Sequence, residues 1–191
     1  NLASLLAELQ PDAIEVHTAP GRMQDFDRTL DQVSAASIPL RRLAVSCGLE
    51  GHGLHSQDLV KELWGRHESL RRRGFRPLWQ LDGRPMSGDV GAGTARAALR
   101  LWQQVRTSAP PGPLQLAGGT NSATIGLLNG LGLPRSCGPA GVAFGGMARS
   151  IVQPLLQEAE CRQTTLRDWP LGWEQALELA RNLVIPWLAR P

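Results

Sequence analysis

At 191 residues and 20.7 kDa, the chain is long enough to bury one sizeable core and short for two, so residues 1–191 read as a single β/α domain. Its formal charge of +3 rests almost wholly on arginine, with Lys61 the only lysine, and no basic stripe interleaved with aromatics is present, which argues against nucleic-acid binding. Three cysteines without a Cys-x-x-Cys pair exclude a disulfide scaffold and a complete iron–sulfur or zinc ligand set and point to a reducing cytoplasm, and no apolar run approaches the roughly 18 residues that cross a bilayer.

The chain opens without a methionine in the middle of a helical pattern, Leu2, Leu5, Leu6 and Leu9, so a fragment of a longer protein is expected. Ala13 to Thr18 is a short β-prone run. Pro20-Gly21 breaks it, and Met23, Phe26, Leu30 and Val33 then fall on one helical face. The pattern repeats. Leu43 to Cys47 is a strand, Gly48 to Gly53 a glycine-rich loop, and Ser56 a candidate N-cap for a helix through Leu59, Leu63 and Leu70 that ends at Gly74. Arg71-Arg72-Arg73 then sit at a helix end, where cations complement the dipole and are expected to be solvated. Pro77 to Leu81 is the third strand, followed by the polar loop Asp82 to Gly93 and a helix that Thr94 can cap. Leu114 to Ala117 is the fourth strand, with a helix through Ile125 and Leu128 after it. Gly141 to Phe144 is the fifth strand. A helix over about Ser150 to Cys161 tolerates Pro154 only in its first turn, and a last one from Trp173 is stopped by Pro186.

Five strand-then-helix units with no hairpin signal predict an α/β fold with a parallel sheet. The length is below the roughly 250 residues of a whole eight-stranded barrel. The expected class is therefore a partial TIM-barrel-like fold, these units being its later strands. An open doubly wound sheet would place its phosphate turn after the first strand, and Thr18-Ala-Pro-Gly-Arg22 is not a G-x-G-x-x-G.

In such a fold the residues just past each strand converge on one mouth. The leading candidates are two glycine turns: Gly118, Gly119, Thr120 and Asn121 after the fourth strand, and Gly145, Gly146, Met147 and Arg149 after the fifth. Glycine lets backbone N–H groups approach an anion, and a following helix points its positive end at the same place. A phosphate or another small anionic ligand is one reading; tight turns with nothing bound is the other. His17, Asp82, Arg84 and Asp89 are candidate substrate contacts on the same rim, with Arg22 beside them. The bland reading makes the aspartates capping residues and His17, whose residue type titrates near neutrality, a hydrogen-bonded wall. Cys47, His52 and His55 could be read as metal ligands, but a glycine loop is poor scaffolding and no fourth ligand is evident, so no metal is expected.

Ile14-Glu-Val-His-Thr18, Trp79-Gln-Leu-Asp-Gly-Arg-Pro-Met-Ser-Gly-Asp89, Gln115-Leu-Ala-Gly-Gly-Thr-Asn121 and Gly141-Val-Ala-Phe-Gly-Gly-Met-Ala-Arg149 together resemble the C-terminal domain of the cyanobacterial light-dependent period family. The resemblance implies a regulatory, redox-sensing role in circadian clock input rather than catalysis. It implies iron–sulfur clusters held by an upstream segment and not by this chain, with that segment and clock or signalling proteins as partners. It supplies no catalytic residues. More distantly, the paired glycine turns resemble those of flavin-mononucleotide barrels, which leaves a flavin- or phosphosubstrate-binding oxidoreductase as the alternative.

Overall fold

A computed structural model describes residues 1–49, 55–84 and 93–190. Five strands, β1 (Ala13–His17), β2 (Arg42–Gly48), β3 (Pro77–Asp82), β4 (Leu114–Ala117) and β5 (Gly141–Val142), alternate with seven α-helices among the described residues. The helices are α1 (Leu2–Leu9), α2 (Met23–Ala35), α3 (Ser56–Arg72), α4 (Ala95–Val105), α5 (Ala123–Asn129), α6 (Gly146–Cys161) and α7 (Pro170–Leu188). All strand pairs are parallel and the order is β1-β2-β3-β4-β5. Each strand therefore pairs with the next in sequence, without the reversal that defines a doubly wound sheet.

Alternation along the strands separates two faces. One carries Val16, Val45, Cys47, Trp79, Leu81 and Leu116, which join Phe26 and Leu30 of α2, Leu59 and Leu63 of α3, Trp102 and Val105 of α4 and Ile125 and Leu128 of α5 in a single buried cluster. Helices α2 to α5 thus lie on one side of the sheet, as same-handed crossovers require. The other face carries Glu15, His17, Ser46, Gln80 and Asp82, brought level by the registers His17↔Ser46, Ser46↔Gln80 and Gly48↔Asp82.

Gly74 terminates α3 at φ +77°, its N–H donating to the Arg71 carbonyl, and no atom lies within 4 Å of where a Cβ would stand. Gly74→Ala is therefore expected to cost about 1 kcal/mol through backbone strain alone, measurable by urea denaturation. Several local expectations are corrected. His55 and not Ser56 is the N-cap of α3, and Asp58 closes that helix start by accepting from the His55 N–H at 3.3 Å. Thr94 does not cap α4 with its side chain, because its hydroxyl donates instead to the Gly119 carbonyl at 2.6 Å. The fifth strand stops at Val142, since the chain must turn into α6, which begins at Gly146 and so places Pro154 in its interior. The last helix starts at Pro170, a residue pre-set for a first helical turn, and runs past Pro186 to Leu188. Arg73 is not merely solvated. It bonds Asp31 at 2.9 Å and Asp27 at 3.1 Å and so ties α3 to α2.

Candidate functional site

The registers Gln115↔Gly141 and Leu116↔Val142 set the two glycine turns side by side. The Ala143 N–H donates to the Leu116 carbonyl at 2.8 Å, and the Thr120 hydroxyl donates to the Ala143 carbonyl, joining one turn to the other. The turns nevertheless differ in build. Gly118 (φ +54°) and Gly119 (φ +86°) are both left-handed, and both lie against neighbouring backbone. A Cβ on Gly118 would stand 2.4 Å from the Arg84 carbonyl oxygen, and one on Gly119 would stand 3.0 Å from that of Thr94. Thr120 and Asn121 are buried. The Asn121 side chain accepts from the Ala123 N–H at 2.9 Å and donates to Thr94 Oγ1 at 3.2 Å. The side-chain donors of the first turn therefore hold the turn and its neighbour, the start of α4.

The second turn is open. Gly145 caps α6 without a side-chain hydrogen bond, and a Cβ there would meet within 4 Å only Nη1 of Arg149, at 3.8 Å. Arg149 thus folds back toward the first turn of its own sixteen-residue helix. The Met147 carbonyl accepts from the Ser150 hydroxyl at 2.9 Å.

A second polar constellation lies on the sheet face opposite α2 to α5, at the C-terminal ends of β1, β2 and β3. Ser46, fully buried, is hydrogen-bonded through Oγ to His17 Nδ1, and Asp82 lies near enough for Ser46 to act on its carboxyl. Glu15 Oε1 lies 3.4 Å from the same ring nitrogen, and Glu15 Oε2 accepts from Gln80 Nε2 at 3.0 Å. Burial pushes the Asp82 carboxyl up to about 6, opposed by the charge of His17 and the Ser46 hydrogen bond. Serine, histidine and carboxylates in contact invite comparison with a nucleophilic triad. The geometry argues against one, because Glu15 and Ser46 approach the same imidazole nitrogen and the Ser46 hydroxyl is closed off from solvent.

Among the remaining candidates, Asp89 and His52 lie outside the described residues. The Arg84 backbone covers Gly118. Arg22 is exposed and lies 3.5 Å from Asp25, which also pairs with Arg28. Cys47 is buried and burial pushes its thiol up to about 12, which makes it a core residue and a poor nucleophile or ligand. No three His, Cys, Asp or Glu side chains among the described residues are grouped to hold a metal ion, and no described helix is long and apolar enough to cross a membrane. Sequence reasoning overlooked Glu15, Ser46 and Gln80. Their signal was the period-two placement of Glu15 with His17 and of Gln80 with Asp82, which puts four polar groups on one face of two strands.

Residues 5–186 match the family model described as the Light dependent period A C-terminal domain. The chain is 38% identical over 190 residues to Light dependent period A of Synechococcus elongatus, an alignment covering 96% of this chain and 52% of that protein. The chain thus spans about half the length of the curated relative it matches. No solved structure matches it. With the family model covering nearly the whole chain and the motifs at both glycine turns inside it, this protein belongs to the Light dependent period A C-terminal domain family.

Proposed function

We propose that this domain is the ligand-responsive part of a regulator that feeds redox state into the circadian clock. It would form the later strands of a β/α barrel and bind a small anion at the second glycine turn. The single observation that carries the ligand reading is the open N-terminal end of α6 at Gly145, with Arg149 folded toward it. Consecutive strand order with α2 to α5 on one face supports the barrel reading, since a β/α barrel keeps its helices on the outside of the sheet. The clock reading rests on family membership and on the name of the relative, which specifies period and light dependence.

The iron–sulfur clusters expected of the family do not fit this chain. Three thiols fall short of the usual four-ligand set, and Cys47 is sealed in the core. Redox information would therefore arrive through contact with a cluster-bearing segment or partner. Support for such contact comes from α7, where Trp173, Val184, Ile185 and Leu188 are exposed. Affinity capture from cyanobacterial cells held in light and in darkness should recover clock or signalling proteins in one state more than the other. Recovery of none in either state would overturn the regulatory reading.

The same open turn favours a flavin- or phosphosubstrate-binding oxidoreductase as the second reading. Thermal shift with inorganic phosphate and with flavin mononucleotide separates the two. A ligand at ten times its Kd should stabilise the fold by about 1.4 kcal/mol, an effect Arg149→Ala should abolish. Response to phosphate alone supports a regulatory anion, response to the flavin supports the enzyme, and response to neither removes the pocket.

A further inference from the structure

The positive charge of this chain is concentrated in one part of it. Residues 90–157 hold five arginines, Arg96, Arg100, Arg106, Arg135 and Arg149, and no aspartate or glutamate, which leaves fifteen basic and seventeen acidic residues elsewhere. The excess therefore belongs to the run of elements from α4 into α6. Within that run a groove of about 360 Å³ lies between α4 and α5, lined by Arg96, Leu99 and Arg100 on one side and Gly126, Leu127 and Gly130 on the other. No carboxylate lines it. Both arginines are exposed, and neither has a carboxylate partner among the described residues.

The fold itself does not require the two glycines. Gly126 lies inside α5 and Gly130 caps it at φ −62°, which is right-handed backbone where alanine is the better residue. A Cβ on Gly126 would meet no atom within 4 Å beyond its own helix backbone. One on Gly130 would meet only the carbonyl oxygens of Leu127 and Gly126, at 3.4 Å and 3.5 Å. What a side chain at either position would fill is the groove.

We propose that this groove docks an amphipathic helix of a partner protein, with leucine-sized side chains over Gly126 and Gly130 and with Asp or Glu residues meeting Arg96 and Arg100. An open trough with exposed charges suits a helix better than a small anion. Small ligands are held by burying most of their surface, and neither arginine here is buried. A docked helix brings an apolar face to Leu99 and Leu127, and small residues beneath it let the two backbones come close. Arg96 and Arg100 stand one turn apart, about 6 Å along α4. Carboxylates at i and i+4 of the incoming helix have the same spacing. Charges so placed at a rim set orientation and speed encounter. The proposal stands whether or not an anion binds at Gly145.

Fluorescence anisotropy of the full chain with a labelled helical peptide of leucine, alanine and glutamate tests it, the leucines forming one face and the glutamates flanking them. Binding should saturate and should weaken about fivefold when ionic strength rises from about 0.05 M to about 0.5 M. Replacing the peptide's glutamates by glutamine should weaken it about tenfold, and Arg96→Ala or Arg100→Ala about threefold each. Arg41→Ala, which removes an equal but exposed charge just before β2, should leave affinity unchanged. Gly126→Leu should remove binding. Gly126→Ala should weaken binding while raising the midpoint of urea denaturation, so that lost affinity is not lost structure. No saturable binding of the glutamate peptide, equal affinity for the glutamine peptide, or undiminished binding by Gly126→Leu would each overturn the proposal. Preference of the wild-type chain for vesicles of phosphatidylglycerol over the peptide would overturn it in favour of a membrane surface.

Discussion

Gly118→Ala is expected to destabilise the fold by about 3 kcal/mol, the largest loss from adding a single methyl group at either glycine turn. Two costs combine. A side chain at φ +54° carries left-handed strain of about 1 kcal/mol. The added carbon would also stand 2.4 Å from the Arg84 carbonyl oxygen and 3.0 Å from the Asp82 Cα, so the backbone after β3 must move, at a further cost of about 2 kcal/mol. Gly145→Ala serves as the internal control. Its φ of −89° suits any residue and its Cβ would meet only a flexible arginine tip, so its cost should stay below about 1 kcal/mol. Chemical denaturation of the two variants reads the difference directly, and equal costs would mean that the close approach between the β3 and β4 turns is absent in solution.

Asp82→Asn should stabilise the protein at pH 8 by about 3 kcal/mol and have little effect near pH 3.5. Burial raises the Asp82 carboxyl to about 6 in the folded chain, against an ordinary value of 3.8. The native state therefore binds this proton more tightly than the unfolded chain does. The contribution of Asp82 to stability is most favourable below about pH 4, declines as pH rises through the window from about 4 to 6, and is at its worst above it. Each tenfold gain in proton affinity on folding corresponds to about 1.4 kcal/mol. The amide, which cannot ionise, therefore recovers about 3 kcal/mol on the alkaline side. Denaturation of both proteins at pH 8 and pH 3.5 gives the pH-dependent difference. A difference that is the same at both pH values would show that the carboxyl is not desolvated.

The parallel α/β order was legible because each strand is a short β-prone run closed by glycine or proline and followed by helical spacing, as in Ala13–His17 and the Met23, Phe26, Leu30 and Val33 face. Helix starts were not legible at this level. Ser56 and Thr94 are good capping residues by type, yet His55 occupies one cap and the Thr94 hydroxyl is drawn to Gly119, a partner 25 residues away that no local rule can supply. Pro154 and Pro186 misplaced two boundaries for a related reason, since a long helix outlasts the loss of one hydrogen bond. At the site, Gly118-Gly119 and Gly145-Gly146 read alike as sequence. Only the packing of Arg84 and Thr94 against the first pair distinguishes a filled turn from an open one. The His17, Ser46 and Asp82 contact was hidden because it depends on the registers of three strands at once.

The consecutive strand order has a consequence for how the chain assembles. Partners such as Ala13 and Arg42, Leu43 and Pro77, or Gln115 and Gly141 are separated by only about thirty residues, so each pairing closes a modest loop over a helix that can form first. Among the described residues no strand pairs with a segment much farther along the chain. A ribosome releasing this polypeptide would lay each new strand against a template already in place, and the growing sheet would extend in one direction, with β5 and the open turn beyond it added last among the five.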